Sequence, residues 1–287
     1  MPKRFVSTLL TACVAGFGLV AADAAAINVL YFSKSSGFQH SVVARDNDQP
    51  SHTERILSDL AEEHDVSLTN TKDGGYITAE NLEDYDVVIF YTTGNLFEEG
   101  TDGQPPLTEE GLDALLEWVS NGGGFLGYHS ATDTFHTPDG EEPNAYTQLV
   151  GGNFAGHGPQ FEGTLYVVDS DHPTMANVPE VWTIHDEWYI FRNMNTENMR
   201  VLAMLETDDV AREAHDMYHI PDYPIIWTIQ HGDGRVYHNT MGHREDVWEN
   251  PTFQQTIVDA VTWAAGDGPA MNEPNYYEVV PTEADDE

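Results

Sequence analysis

Basic side chains are nearly missing from this 287-residue chain: 11 Lys and Arg stand against 49 Asp and Glu, a formal net charge of −38. Lysine occurs only at Lys3, Lys34 and Lys72. So few cations exclude a nucleic-acid partner, because binding a phosphate backbone depends on Lys and Arg displacing its counterions. Self-repulsion on this scale disfavours a compact state unless salt screens it, the Debye length falling to about 3 Å at 1 M. The surface therefore reads as adapted to high salt. Cysteine is also missing apart from Cys13, so beyond residue 26 neither a disulfide nor a thiolate nucleophile is available. Apart from the N-terminus, no apolar run is long enough to cross a bilayer, and no integral membrane segment is expected in the mature chain.

What is present begins with an export signal. Lys3 and Arg4 precede an apolar run from Phe5 to Val20 that ends in the alanine-rich stretch Ala21 to Ala26. This is the pattern of a secretory signal peptide cut after Ala24 or Ala26. The predicted organisation is a signal peptide over 1–26, one domain over 27–268 and an acidic C-terminal tail over 269–287, in a periplasmic or secreted protein. The alternative is acylation of Cys13 within "LTAC", which would tether the protein to lipid.

Strand-like and helix-like segments alternate through the first half, the signature of a parallel sheet with crossover helices. "AINVLYFS" (26–33) makes a first strand, and "SHTERILSDLAEEHD" a helix with Ser51 as N-cap and Ile56, Leu57 and Leu60 on one face. "VSLTN" is a second strand, and "YDVVIFYTT" (85–93) reads as a strand buried on both faces. "PPLTEEGLDALLEWVSNGGG" predicts a helix capped by Thr108, with Glu109 and Glu110 in the first turn where the helix dipole favours anions; "FLGYH" is the next central strand. In the second half, "GTLYVVDSDHP", "VWTIHDEWYIF" and "MRVLAMLET" are strand-like, and "YPIIWTIQHGDGRVYHNTMGH" is a hairpin about Gly232 to Gly234. "PTFQQTIVDAVTWAAG" is a last helix, and the tail after Gly268 reads as loosely packed.

Ligands in open α/β sheets bind beyond the carboxyl ends of the strands. Those positions hold "SKSSGFQHS" with His40, then "TTGNLF", then His129, Ser130 and Asp133. "LTEEGLDALLEWVSNGGGFLGYHSATDTF", "LVGGNFAGHGP", "DHPTMANVPEVWTIHDEWYIF", the hairpin and the last helix together resemble the ThuA-like family, named for trehalose utilisation, from about Ile27 to Gly266. The resemblance implies a flavodoxin-like, doubly wound, mostly parallel α/β sheet with β-hairpin additions in the second half, related to class I glutamine amidotransferases, and a role in sugar metabolism. One departure stands out: the family's Asp-His-Pro before the Trp-bearing strand is here Asp222, Tyr223 and Pro224. No role of that His carries over.

The same resemblance puts "GYHSA" at the amidotransferase nucleophile elbow, with His129 where the Cys would be. An imidazole cannot form the thioester that glutamine hydrolysis needs, but it exchanges a proton near neutral pH or ligates a metal. His185, Asp186 and Glu187 stand beside Trp188 and Tyr189, and carboxylates with aromatic rings suit a sugar. Strand alternation sends Asp186 and Glu187 to opposite sides, which favours Glu187. His157 sits between glycines in an expected loop, and His243 follows the hairpin.

These residues predict an exported protein of carbohydrate metabolism that acts on a small sugar or (keto-)glycoside by acid/base chemistry. His129, Glu187 and Asp186 are the catalytic candidates; His40, Tyr128, Asp133, His157, Trp188 and His243 are the substrate-binding ones. Hydrolysis, elimination and isomerisation all fit, and a non-catalytic sugar-binding protein of the same fold is the alternative. A divalent metal held by His129, His157 and His243 with a carboxylate stays open. No HExxH pair occurs, and the i, i+4 pair His215 and His219 falls in what reads as a loop insertion.

Overall fold

Thirteen strands and eight α-helices are present among the described residues of the computed structural model, 26–282 without Asp48 and Asp139. The predicted signal peptide up to residue 25, with Cys13, and residues 283–287 lie outside them. The strands are β1 (Asn28–Phe32), β2 (Ser35–Ser36), β3 (Ser67–Thr71), β4 (Val87–Phe90), β5 (Thr93–Gly94), β6 (Gly124–Tyr128), β7 (Asn153–His157), β8 (Phe161–Val167), β9 (Val181–Asp186), β10 (Tyr189–Arg192), β11 (Met199–Leu205), β12 (Tyr223–His231) and β13 (Gly234–Asn239). The helices are α1 (His52–Glu63), α2 (Ala79–Leu82), α3 (Glu109–Ser120), α4 (Ala145–Val150), α5 (Asp209–Ala214), α6 (Glu245–Trp248), α7 (Pro251–Ala264) and α8 (Tyr276–Val279).

Nine strands form one sheet in the order β3-β1-β4-β6-β13-β12-β11-β8-β9. The first five run parallel; the last four extend the sheet antiparallel. The "VVIF" of β4 is buried throughout, as its unbroken apolar run requires between two helix layers. Leu57 of α1 and Phe253, Ile257 and Val261 of α7 pack with Val29, Tyr31 and Ile89 on one face of the sheet. Leu115 and Val119 of α3 and Leu149 of α4 pack with Leu30, Val88 and Phe125 on the other, which makes the sheet doubly wound. Each fully buried Leu, Ile, Val or Phe here contributes roughly 1.5–3 kcal/mol relative to exposure.

Local signals set the helix starts. Ser51 accepts from Glu54 N–H while the Glu54 side chain accepts from Ser51 N–H, a complete capping box, and Thr108 caps α3.

Because β1, β4, β6 and β13 are parallel, the chain leaves all four at the same sheet edge. β9 runs in the same sense as β13, and Asp186 at its end accepts the N–H of Gly242 just after β13, although three strands lie between them in the sheet. The "NFAGHGP" segment is not a loop: it forms β7, paired antiparallel with β10 across this rim. The predicted strand "VWTIHDEWYIF" breaks at Glu187–Trp188 into β9 and β10. The described part of the tail is pinned rather than loose: Asn275 exchanges hydrogen bonds with both main-chain groups of Val201.

Candidate metal centre and its cavity

His129 is the first residue beyond β6. The chain turns there through a left-handed backbone, φ 42°, into a short 3-10 helix, His129–Asp133. A non-glycine residue in this region costs on the order of 1–3 kcal/mol, so the surrounding structure has to impose it. Its buried ring is fixed by a 2.8 Å hydrogen bond from Nδ1 to the Thr240 carbonyl. With Nδ1 donating, Nε2 presents its lone pair to the space beyond the strand ends.

Three other side chains converge on that lone pair. His40 comes from the loop after β2, His243 from the loop after β13, and Glu187 from the β9–β10 junction. One ligand atom from each of His40, His129, Glu187 and His243 lies within 4.8 Å of the others. His129 Nε2 is 3.3 Å from His243 Nδ1 and 3.6 Å from Glu187 Oε2, while His243 Nδ1 is 3.1 Å from the same oxygen. Ligands bound at about 2.0–2.2 Å to one ion stand about 3–4 Å apart, which is the spacing of the His129, His243 and Glu187 atoms, with His40 within 4.8 Å of them.

Backbone contacts hold the cluster from behind. The buried Asp186 carboxylate accepts the N–H of Gly242 at 2.7 Å and of His243 at 3.2 Å. The Gly242 carbonyl accepts from Tyr91 Oη and Trp248 Nε1, and its φ of +118° is one that only glycine adopts readily. His243 is thereby carried on a clamped turn.

The electrostatics suit a cation. Burial, then the neighbouring His129 and His243, push His40 down to about 2, so it stays a neutral imidazole. Its buried Nδ1 has no hydrogen-bond partner. Burial would raise Glu187, but His129 and His243 outweigh it and hold the carboxyl well below the usual range. Burial would lower His243, yet Glu187 outweighs it and raises its pKa. Glu187 thus favours the protonated form of His243, and a divalent cation held by these side chains would answer the same carboxylate charge. Imidazoles with one carboxylate suit a first-row transition ion, not Mg²⁺ or Ca²⁺, which take oxygen ligands.

Three of the four cluster residues, His40, Glu187 and His243, line a cavity of about 300 Å³. Residues 28–264 match the sequence model of the ThuA family, described as trehalose utilisation. The chain belongs to the ThuA family. Among solved structures it is similar to a ThuA-like protein from Bacteroides uniformis, at TM-score 0.65 and 20% identity over 89% of this chain and 99% of that one. A ThuA-like protein from Parabacteroides merdae matches at TM-score 0.65 and 19% identity, over 84% and 90%. Agd3, a carbohydrate deacetylase, matches at TM-score 0.51 and 14% identity, over 83% of this chain and 32% of that one. Likenesses at these identities speak for the fold alone. Among curated proteins, none has a sequence that matches this one.

In this ThuA-family chain, His40, Asp133, His157, Glu187 and His243 all line the cavity, with His129 beneath them. His157 is 41% exposed and sets Nδ1 3.2 Å from Glu187 Oε1. Asp133 pairs with His136 Nε2 at 2.5 Å. Three predicted residues stand elsewhere. Asp186 faces away from the cavity, as alternation with Glu187 demands, and acts on the backbone. Tyr128, the last residue of β6, points into the apolar core against Tyr237, Trp248 and Phe253, because its neighbour His129 takes the opposite side. Trp188 is also core, its indole N–H bonded to the Phe161 carbonyl. Tyr189, which the sequence places beside the carboxylates but which was not among the binding candidates, has its ring 4.3 Å from that of His129 and its hydroxyl 3.4 Å from His40 Nε2. It stands two residues after Glu187, so alternation across the strand break could have found it. Phe38 and Phe154 also line the cavity, and only the bare order of aromatics near His40 and His157 hinted at them.

Proposed function

We propose that this ThuA-family protein is a metal-dependent enzyme acting on a small sugar or (keto-)glycoside, exported to the periplasm or beyond. The observation that carries the reading is the convergence of four ligand atoms, three imidazole and one carboxylate, beside a cavity on the sheet's ligand-binding edge. A bound divalent ion there supplies Lewis acidity toward a sugar hydroxyl or carbonyl oxygen.

The chain's own residues supply the rest. His157, held against Glu187 and open to solvent, is placed to exchange a proton between substrate and water. Asp133, oriented by His136, offers a carboxylate to sugar hydroxyls at the opposite wall. Phe38, Phe154 and Tyr189 surround the ligand space with rings that suit the apolar face of a pyranose. Hydrolysis, elimination and isomerisation all need a polarised oxygen beside a proton carrier, and this arrangement provides both. A purely sugar-binding protein has no need to converge three imidazoles on one buried carboxylate.

The test is metal analysis joined to a substrate screen. Purified protein should carry or take up one divalent transition ion per chain. Turnover on glycosides or 3-keto-glycosides should fall at least about 10²-fold on chelation, the scale of a lost catalytic group, and return with added metal. Turnover that ignores chelation in a protein free of stoichiometric metal would overturn the reading.

A further inference from the structure

A second cavity, of about 780 Å³, opens directly beside the first, and Phe38 and Asp133 line both. The inner space alone is at the small end of the about 300–1,000 Å³ usual for ligand sites. The outer one has a composition of its own. Phe38 is 63% exposed and Phe97 37% exposed, and Phe135 lies against Phe97 with ring centroids 4.6 Å apart. Contiguous exposed apolar surface rimmed by polar residues is a mark of a ligand-binding groove.

The groove is built, not incidental. Phe135 adopts a left-handed backbone, φ 50°, kept there by its N–H to the Gly94 carbonyl at 3.1 Å and by Asn144 Nδ2 to its own carbonyl at 2.6 Å. Backbone strain of this kind persists only where surrounding structure imposes it. The two strained residues bracket one turn: His129 at its start supplies the metal cluster, and Phe135 just past its end supplies the aromatic wall. Opposite, Gly94 approaches so closely that an added Cβ would lie 1.8 Å from the Ser36 carbonyl oxygen, so the segment bearing Phe97 is pressed onto β2. Asn95, Asp133, His136 and Asn144 add polar groups to the lining.

We infer that the outer groove is a second subsite, so that the preferred substrate is a glycoside whose second cyclic unit lies flat against Phe97 and Phe135 while its first ring enters the inner cavity. This rests on the carbohydrate reading above. A flat apolar face with a hydroxylated edge is the shape common to a second pyranose and to an aromatic aglycone, and ring walls with a polar rim complement both. Asp133, shared by the two cavities, stands beside the linkage between the units.

Calorimetric titration of the protein, after incubation with a divalent transition ion, with methyl glucoside, phenyl glucoside and the disaccharide maltose tests this. At least one of the two larger ligands should bind about tenfold more tightly than methyl glucoside, as expected for seating one ring on an aromatic wall. Phe97→Ala, a change at a partly exposed side chain, should reduce that advantage below about threefold and leave methyl glucoside affinity within about twofold, with an unchanged melting temperature as the check on folding. A gain for phenyl glucoside alone assigns the groove to aryl aglycones, and a gain for maltose alone to a second sugar. Equal affinity for all three, no binding by any, or an advantage that survives Phe97→Ala overturns the subsite. Metal content is read on the same samples: discrimination without metal keeps the groove and removes the metal centre, and metal without discrimination does the reverse.

Discussion

At His129 two constraints act on one ring, the left-handed backbone that aims it and the Thr240 carbonyl that fixes its tautomer. His129→Ala should leave the fold intact and lower turnover by about 10²-fold or more, together with metal occupancy. Full turnover in that variant would leave the turn without a catalytic role. His129→Cys should neither rescue activity nor create a glutaminase, since a thiol also needs a positioned base and an oxyanion hole. Asp186 is the instructive neighbour. Its carboxylate never enters the cavity, yet it accepts both N–H groups that carry His243. Asp186→Asn puts an N–H₂ where one of those donors points, so metal affinity should fall about 10- to 100-fold, the range for lost orienting partners. The direct reading is a metal Kd from competition with a chelator, and an unchanged Kd would reduce Asp186 to a packing residue. Position by position, sequence could nominate His129, Glu187 and His243. It could not separate them from Tyr128 and Trp188, because a strand end and a strand break decide which of two adjacent residues looks outward.

Among elements, the segment that carries Phe97 is held by buried cations. Lys72 is buried and pairs with Asp102 at 2.7 Å, and Lys34, also buried, donates to the Gln104 carbonyl at 3.0 Å. Burial would raise Asp102, but the Lys72 ammonium outweighs it and holds its pKa below the usual value. A carboxyl depressed in the folded state adds stability that is present above its unfolded pKa and lost as pH falls through the folded one. The attachment should therefore weaken in acid below the ordinary aspartate range. Asp102→Asn leaves Lys72 buried without its counter-charge and should cost about 1–3 kcal/mol, read as a lower melting temperature at neutral pH. If acid below that range lowers the melting temperature of the parent no more than that of Asp102→Asn, the pair has no part in stability. The helices α1 and α3 were legible because their signals are local, a capping box and a Thr cap with apolar residues at helical spacing. β7 was not, since "NFAGH" has no β-branched residue and exists as a strand only because β10 pairs with it.

For the whole molecule, charge dominates. Lysine occurs among the described residues only at Lys34 and Lys72, and both are buried, so the surface there carries no lysine to offset its carboxylates. With a net charge of −38, screening should raise the melting temperature markedly between low and molar salt. A melting temperature flat across that range would reject adaptation to salt. No helix among the described residues is long and apolar enough to cross a membrane. Composition, the alternation of strand and helix, and the residues at the carboxyl ends of the parallel strands were all set by sequence alone, because they depend on local periodicity and on a shared strand direction. The four-ligand cluster was not. His40, His129, Glu187 and His243 leave the sheet from four separate places, and Glu187 arrives from the edge strand β9, whose end meets the residues after β13 across three intervening strands. Twist between neighbouring strands accumulates across a sheet and leaves no mark at any one residue, so only the tertiary structure could bring that carboxylate to the imidazoles.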